Sequence, residues 1–348
     1  MKFGVLQFFS WPRRNIPLQT VYARALQRIE IMDKTGYDAV WLAEHHFTDY
    51  SVCPSVHLMG MHVAAKTRSL RIGTAVSLAA LYHPLRLAEE VAMLDVLSDG
   101  RVNWGAGRGF DPQEFKTFGV PLPQSKERFR EAVDIVLAAW TRERLDWRSE
   151  QWCFEDVEVL PKPLQQPHPP MWVAAGSPDA VQWAGEQGYS VMLGPHGDFQ
   201  QVATHRNNFL ATLQANGHSS ANREIPMARL IAVAATDREA EQVARRGAGW
   251  IVATYKNESK GTANPVKTVE VDGRRQSLDP IDRYLQDVAI WGSPERVLDT
   301  LYRLEEEMHL GYLMCAPLSH ESFLMFTEQV MPRFQSRRRA GAEAALNA

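Results

Sequence analysis

Glu44, His45 and His46 stand at the end of a short apolar run, Trp41-Leu42-Ala43. A carboxylate beside two imidazoles can move protons near neutral pH, where imidazole titrates. Successive residues of an extended chain point to opposite sides, so the two histidines cannot share one environment. One can face a cavity while the other packs. A His-His pair in a loop need carry no chemistry, so the case rests on what gathers at the same end of the other strands. Gly105-Ala106-Gly107-Arg108-Gly109 opens like a dinucleotide fingerprint but has Phe110 where the last glycine would stand. It reads either as an arginine in a tight turn or as backbone passing close to a ligand, with a guanidinium to grip an oxyanion. In Gly176-Ser177-Pro178-Asp179, Ser177 suits an N-cap and Pro178 the first helical position, which leaves free amides for an anion. Gly292-Ser293-Pro294-Glu295 repeats that pattern; Arg108 on a neighbouring strand favours the first copy.

The elements that must position these groups alternate. Strands are expected at residues 2–8, 39–42, 70–76, 101–106, 171–175, 190–193, 227–234 and 311–315. Helices are expected at 21–35, 57–66, 126–140 and 178–186. Another runs from His83-Pro84 to Asp99-Gly100, with Leu85, Leu87, Ala88, Val91, Leu94 and Leu97 on its apolar face. Eight short strands, nearly each followed by a helix, are the pattern of a (β/α)8 TIM barrel, whose chemistry sits at the C-terminal strand ends. A doubly wound sheet is the alternative, but its Gly-rich first turn is replaced here by Phe8-Phe9-Ser10-Trp11. The expected organisation is one domain over 1–335, with a hairpin insertion at 141–170 and a polar segment at 256–288 that reads as a mobile lid or a surface loop. A disordered tail is expected at 336–348.

Composition narrows the class. The chain has 348 residues, 45% of them hydrophobic, and a net charge of −3, which gives no electrostatic footprint for nucleic acid or an anionic membrane. Cys53, Cys153 and Cys315 lie far apart, which suits a reducing cytoplasm. The start lacks an apolar run of signal-peptide length, and no run is long enough to span a bilayer. The strand ends lack the carboxylate cluster of a divalent-metal site and the paired acids of a glycosidase. There is no HExxH motif, and His57 and His62 are five apart, so no metal is expected.

Several ordered stretches carry a resemblance: Trp41 to Thr48, Arg71 to Val76, His83 to Glu90, Leu97 to Gly109, Pro169 to Ser177 and Phe326 to Pro332. Together they resemble the bacterial luciferase-like flavin-dependent monooxygenases, most strongly from Met1 to Leu193. The resemblance implies a luciferase-like (β/α)8 barrel that takes reduced FMN from a separate reductase and reacts it with O2. Through C4a-peroxyflavin chemistry it would oxygenate a small, largely apolar substrate, such as an aldehyde or ketone. His45 is the implied catalytic residue, and Glu44, Ala75, Val76, Arg108, Gly176 and Ser177 the implied cofactor-binding residues. The Ala75–Val76 peptide is expected to be cis and to lie against the flavin ring, with Arg108 and Ser177 on the phosphate. Lys126 or Arg128 is a further basic ligand. Phe9, Trp11 and the 256–288 segment would shape the substrate side, although the aromatics are equally at home in a core. Gly107 stands where luciferase proper has a reactive cysteine, so light emission is not implied. Gly176 and Ala180 replace polar residues of its phosphate loop. A homodimer through the helices after strands two and three is implied too. Two other classes fit the same motifs: a flavin or deazaflavin (F420) oxidoreductase moving hydride, and a non-catalytic flavin-binding partner subunit.

Overall fold

The computed structural model describes residues 1–221, 223–257, 268–271, 274–277 and 279–337. Strand β1 (Lys2–Gln7) begins the chain. From Leu6 to Met192, joined by Asn208–Arg223, the residues form one compact unit. It runs through α1 (Leu18–Thr35), β2 (Ala39–Leu42), α2 (Val56–Lys66), β3 (Arg71–Thr74), β4 (Ser77–Leu78) and α3 (Pro84–Leu97). Then come β5 (Val102–Gly107), α4 (Pro112–Thr117), α5 (Ser125–Thr141), β6 (Leu145–Arg148), β7 (Cys153–Val157), β8 (Met171–Ala174), α6 (Pro178–Glu186) and β9 (Ser190–Met192). The strands lie in the order β2-β3-β5-β8-β9, all parallel, with β4 beside β5. Parallel strands covered on both faces need apolar residues throughout, and every residue of β2 and β5 is buried.

The helices follow from local pattern. Val21, Ala25, Ile29 and Met32 bury one face of α1, at the spacing that puts side chains on one stripe. Ser55 caps α2 by accepting from the Leu58 amide at 3.1 Å, a contact worth ~1 kcal/mol. On α3, Leu87, Ala88, Val91 and Leu94 are buried, but Leu97 is 59% exposed because the helix ends there. The expected hairpin within 141–170 is β6 against β7, antiparallel.

The second compact unit comprises Met1–Val5, Leu193–Asn207 and the chain from Glu224 onward. Its elements are α7 (Phe199–Ala215, which begins here), β10 (Met227–Val233), α8 (Asp237–Asn257), β11 (Thr268–Val271), β12 (Arg274–Ser277), α9 (Pro280–Arg283), β13 (Ile290–Gly292), α10 (Pro294–Met308), β14 (Tyr312–Pro317) and α11 (His320–Met325). The strand order is β13-β10-β14-β1, again parallel. Strand β13 has no counterpart in the sequence reading, because three residues behind a polar segment carry too little periodicity. Part of the 256–288 segment is regular: β11 and β12 form an antiparallel hairpin, and α9 leads into a π turn at Tyr284–Val288. Its residues 258–267, 272–273 and 278 lie outside the described residues, as does the 338–348 part of the expected tail; residues 331–337 are helical.

Strand three of the sequence reading is two pieces. Gly73 pairs with Asn103 and Ser77 with Ala106, so four steps along one strand match three along its neighbour. The extra residue falls at Ala75–Val76, whose peptide bond is cis. Such a bulge re-aims the backbone. Ala75 and Val76 are half-buried between fully buried neighbours, Thr74 and Ser77.

Candidate active site

His45 follows β2 and is partly exposed. Phe8 stacks against it with centroids 6.4 Å apart, and Tyr50 and Phe110 meet it edge-on at 5.0 and 6.0 Å. Its Nδ1 lies 3.6 Å from Glu114 Oε1, and its Nε2 has no hydrogen-bond partner among the described residues. The same Glu114 oxygen accepts from the His46 amide at 2.9 Å. Glu114 is buried on α4, whose N-cap Asp111 accepts from the Gln113 amide at 2.8 Å. The His45 imidazole thus has a buried carboxylate at one edge and, among the described residues, an unpartnered nitrogen at the other.

His46 occupies the other environment, as alternation requires. Its Nε2 sits 3.0 Å from Glu44 Oε1, and its ring meets Phe118 edge-on at 4.8 Å. Glu44 is buried and fully engaged: besides His46 it accepts from the Tyr82 hydroxyl at 3.0 Å and the Leu78 amide at 3.3 Å. This carboxylate holds down the segment directly after the Ala75–Val76 bulge. Burial, with the Glu44 charge adding, pushes the Tyr82 phenol far above its ordinary value and the Cys53 thiol up to about 12. Cys53 is therefore an inert thiol at neutral pH. Behind the bulge, His57 shares one hydrogen bond with Ser77 Oγ at 2.9 Å and another with Glu90 at 3.0 Å. The His57 bond, helped by Arg86 and opposed by burial, holds Glu90 at about 2.

The glycines before Arg108 make room for protein. A Cβ on Gly105 would lie 1.9 Å from the Thr74 carbonyl oxygen, and one on Gly107 2.3 Å from Val76 Cγ2. Both glycines thus let their strand approach the bulge of its neighbour, which a side chain at either position would displace. Arg108 itself donates through Nη1 to Ser125 Oγ at 3.1 Å, and that hydroxyl in turn donates to the Leu122 carbonyl at 2.6 Å. Strands β5 and β8 are paired, so Arg108 and Ser177 leave neighbouring strand ends. Ser177 is exposed and caps α6 by accepting from the Ala180 amide at 3.3 Å. Beside it Asp179 takes Lys126 at 2.8 Å and Arg130 at 3.0 Å. Arg128 turns away: its guanidinium lies over Trp152 at 5.6 Å and its Nε donates to the Ala80 carbonyl at 3.4 Å. Of the two basic candidates, Lys126 is the one drawn to the start of α6. An added Cβ on Gly176 meets nothing within 4 Å, so that loop end is open.

Phe9 is fully buried against Tyr22, and Trp11 donates to the Ile16 carbonyl and stacks with Arg14. Phe9 is thus core, and Phe8 is the aromatic beside His45. Glu114, Tyr50 and Ser125 lie away from strand ends, and only tertiary structure brings them in. Among the described residues no three His, Cys, Asp or Glu side chains form a metal cluster, and no helix is long and apolar enough to cross a membrane.

The family model for luciferase-like monooxygenases matches residues 1–308. The chain belongs to that family. Three curated relatives, 40%, 33% and 32% identical, are each covered over about half their length (51%, 49% and 50%), as is half of this chain. The second of them is the oxygenase component of the flavin-dependent trigonelline monooxygenase of Acinetobacter baylyi. The alkanal monooxygenase alpha chain of Photorhabdus luminescens is 24% identical, the match covering 95% of this chain and 96% of the relative. Among solved structures, the monooxygenase RslO1 of Streptomyces bottropensis matches with a TM-score of 0.83 and 26% identity over 96% of this chain and 100% of its own. The fold is of the luciferase-like (β/α)8 class, and named relatives are flavin-dependent monooxygenases.

Proposed function

We propose that this luciferase-like chain is the oxygenase component of a two-component system, taking reduced FMN from a separate reductase and oxygenating a small organic substrate with O2. The observation that carries the reading is His45: a partly exposed imidazole at the end of β2, walled by aromatics, with one nitrogen toward Glu114 and the other unpartnered among the described residues. The donor set suits a flavin phosphate. Arg108, Ser177 and Lys126 would hold that dianion at the start of α6, where helix amides add favourable charge. The half-buried Ala75–Val76 backbone would meet the ring, and Glu44 fixes the segment behind it. Bound in its reduced form, FMN supplies the electrons that activate O2.

His45 takes and returns a proton at Nε2 while Glu114 stabilises the imidazolium through Nδ1. Phe8, Tyr50 and Phe110 wall the imidazole and limit its access to water. Such positioned proton transfer is typically worth ~10²–10⁴ in rate. Exposed Leu58, Met93, Val96 and Leu97 on α2 and α3 support a homodimer through those helices.

The test uses anaerobically reduced FMN mixed with labelled O2 and candidate substrates. The native chain consumes O2 and places label in product. His45→Ala binds reduced FMN equally well but releases H2O2 in place of labelled product; undiminished labelling would reject the role of His45. Absence of O2 uptake, with hydride transfer from a deazaflavin instead, would reject the oxygenase reading.

A further inference from the structure

Away from the candidate active site, Arg229 is wholly buried in the middle of β10, in the unit that contains β13, β10, β14 and the start of β1. Guanidinium carries five N–H donors and stays charged. Only Nη1 is engaged, donating to the Ala228 carbonyl at 3.0 Å and the Gly194 carbonyl at 3.4 Å. Nε and Nη2 have no hydrogen-bond partner among the described residues. These two nitrogens form one side of the planar fork, the side whose parallel N–H bonds receive both oxygens of a carboxylate.

Among the described residues nothing close by neutralises the charge. No carboxylate among the described residues comes within ion-pair distance of Arg229. Asp198, which acts on it from further off, is committed as the cap of α7, accepting from the Gln201 amide at 2.7 Å. Cys315, its register partner on β14, is buried, and burial pushes that thiol up, so it is neutral. Burial also pulls the Arg229 guanidinium down to about 9, with Asp198 partly opposing. The group therefore remains a cation at neutral pH. Among the described residues, the cationic face meets the Phe199 ring, 4.7 Å from the guanidinium carbon. A buried cation with three of its five donors unpartnered is costly, and a hydrophobic residue would serve a purely structural role better.

We propose that Arg229 anchors a binding site for a small organic carboxylate, received bidentately by Nε and Nη2. A single fork of one positive charge matches a monoanion, and the Phe199 ring offers an apolar face to the body of such a ligand. Phosphate, a dianion, would call for more cations than this fork supplies.

The full chain, without flavin, is titrated calorimetrically with acetate, benzoate, their amides and inorganic phosphate at constant ionic strength. Charge-assisted pairing predicts that the carboxylates bind ~10- to 100-fold tighter than the isosteric amides. Arg229→Met loses that preference and, relieved of an unpaired buried charge, unfolds at a higher temperature than the native chain without ligand. Arg229→Lys keeps a reduced preference, since an ammonium is a point charge without the fork. The proposal is overturned if the native chain does not prefer carboxylates to amides, if Arg229→Met retains the preference, or if phosphate binds better than either carboxylate. Because no flavin takes part, failure here leaves the oxygenase reading standing, and the converse.

Discussion

Gly107→Ala tests the packing between the Arg108 strand and the bulge beside it. The new Cβ would stand 2.3 Å from Val76 Cγ2, 3.1 Å from its Cβ and 3.4 Å from its Cγ1. The first distance is roughly 1 Å short of ordinary contact, and a β-branched side chain has little rotamer freedom to yield. Overpacking of this kind costs about 2–3 kcal/mol. In a Val76→Ala background the 2.3 and 3.4 Å contacts vanish; of these three the 3.1 Å contact to Cβ persists, which a few tenths of an ångström of movement relieves. There Gly107→Ala should cost about 1 kcal/mol or less. Urea unfolding of the four proteins gives a double-mutant cycle whose coupling should be about 1–2 kcal/mol, the double variant being more stable than the sum predicts. Additive losses would show that the two strands do not meet as described. Gly107→Cys should behave as Gly107→Ala does, with the sulfur adding bulk.

Glu44→Gln replaces a carboxylate that receives three donors with an amide whose NH2 must face some of them. It should lower stability by about 2–4 kcal/mol, read as a lower urea midpoint at unchanged slope; an unchanged midpoint would remove Glu44 from its anchoring role. Lys126→Ala should weaken reduced-FMN binding about 3- to 10-fold in anaerobic dialysis, whereas Arg128→Ala, engaged with Trp152, should leave it unaltered. Acid stability carries a sign. Glu90 is held at about 2 by His57 and Arg86 against burial; at Asp33 burial raises the value, but the amides of Ser69, Leu70 and Arg68 outweigh it and hold the carboxyl at about 2. Folded values below the ordinary 4.5 and 3.8 mean the native state binds these protons less readily. Their contribution is whole above the ordinary range and is lost as pH falls toward about 2. Asp33→Asn and Glu90→Gln should each flatten the acid limb of a stability-versus-pH curve; an unchanged slope would refute the assignment.

The chain displays its strand plan openly because buried parallel strands must be apolar throughout, as in Val40-Trp41-Leu42 and Leu230-Ile231-Ala232. His45 was legible because it ends such a run. Arg108 was legible as an arginine among glycines, but the reason for the glycines was not: their neighbour, Val76, comes from another strand, and linear spacing does not reveal that approach. Glu114 sits on a short helix of ordinary composition and enters only through the fold. Phe8 and Phe9 are adjacent and identical in type, so only the folded path of the chain after β1 separates the residue beside the imidazole from the one in the core. Strand β13 was too short for its pattern to stand out. Arg229 lies within a stretch read simply as a strand, and nothing in the linear sequence shows that its guanidinium is buried with donors left over.

The surplus residue at Ala75–Val76 also decides which way the next segment faces. Side chains alternate along a strand, so removing one residue there would turn Ser77 and Leu78 over. Ser77 would then point away from His57, which it now meets at 2.9 Å, and Glu90 would lose the far end of its relay. A deletion at this point would therefore be felt on α2 and α3, on the outer surface of the sheet, as much as at the imidazole end of β2.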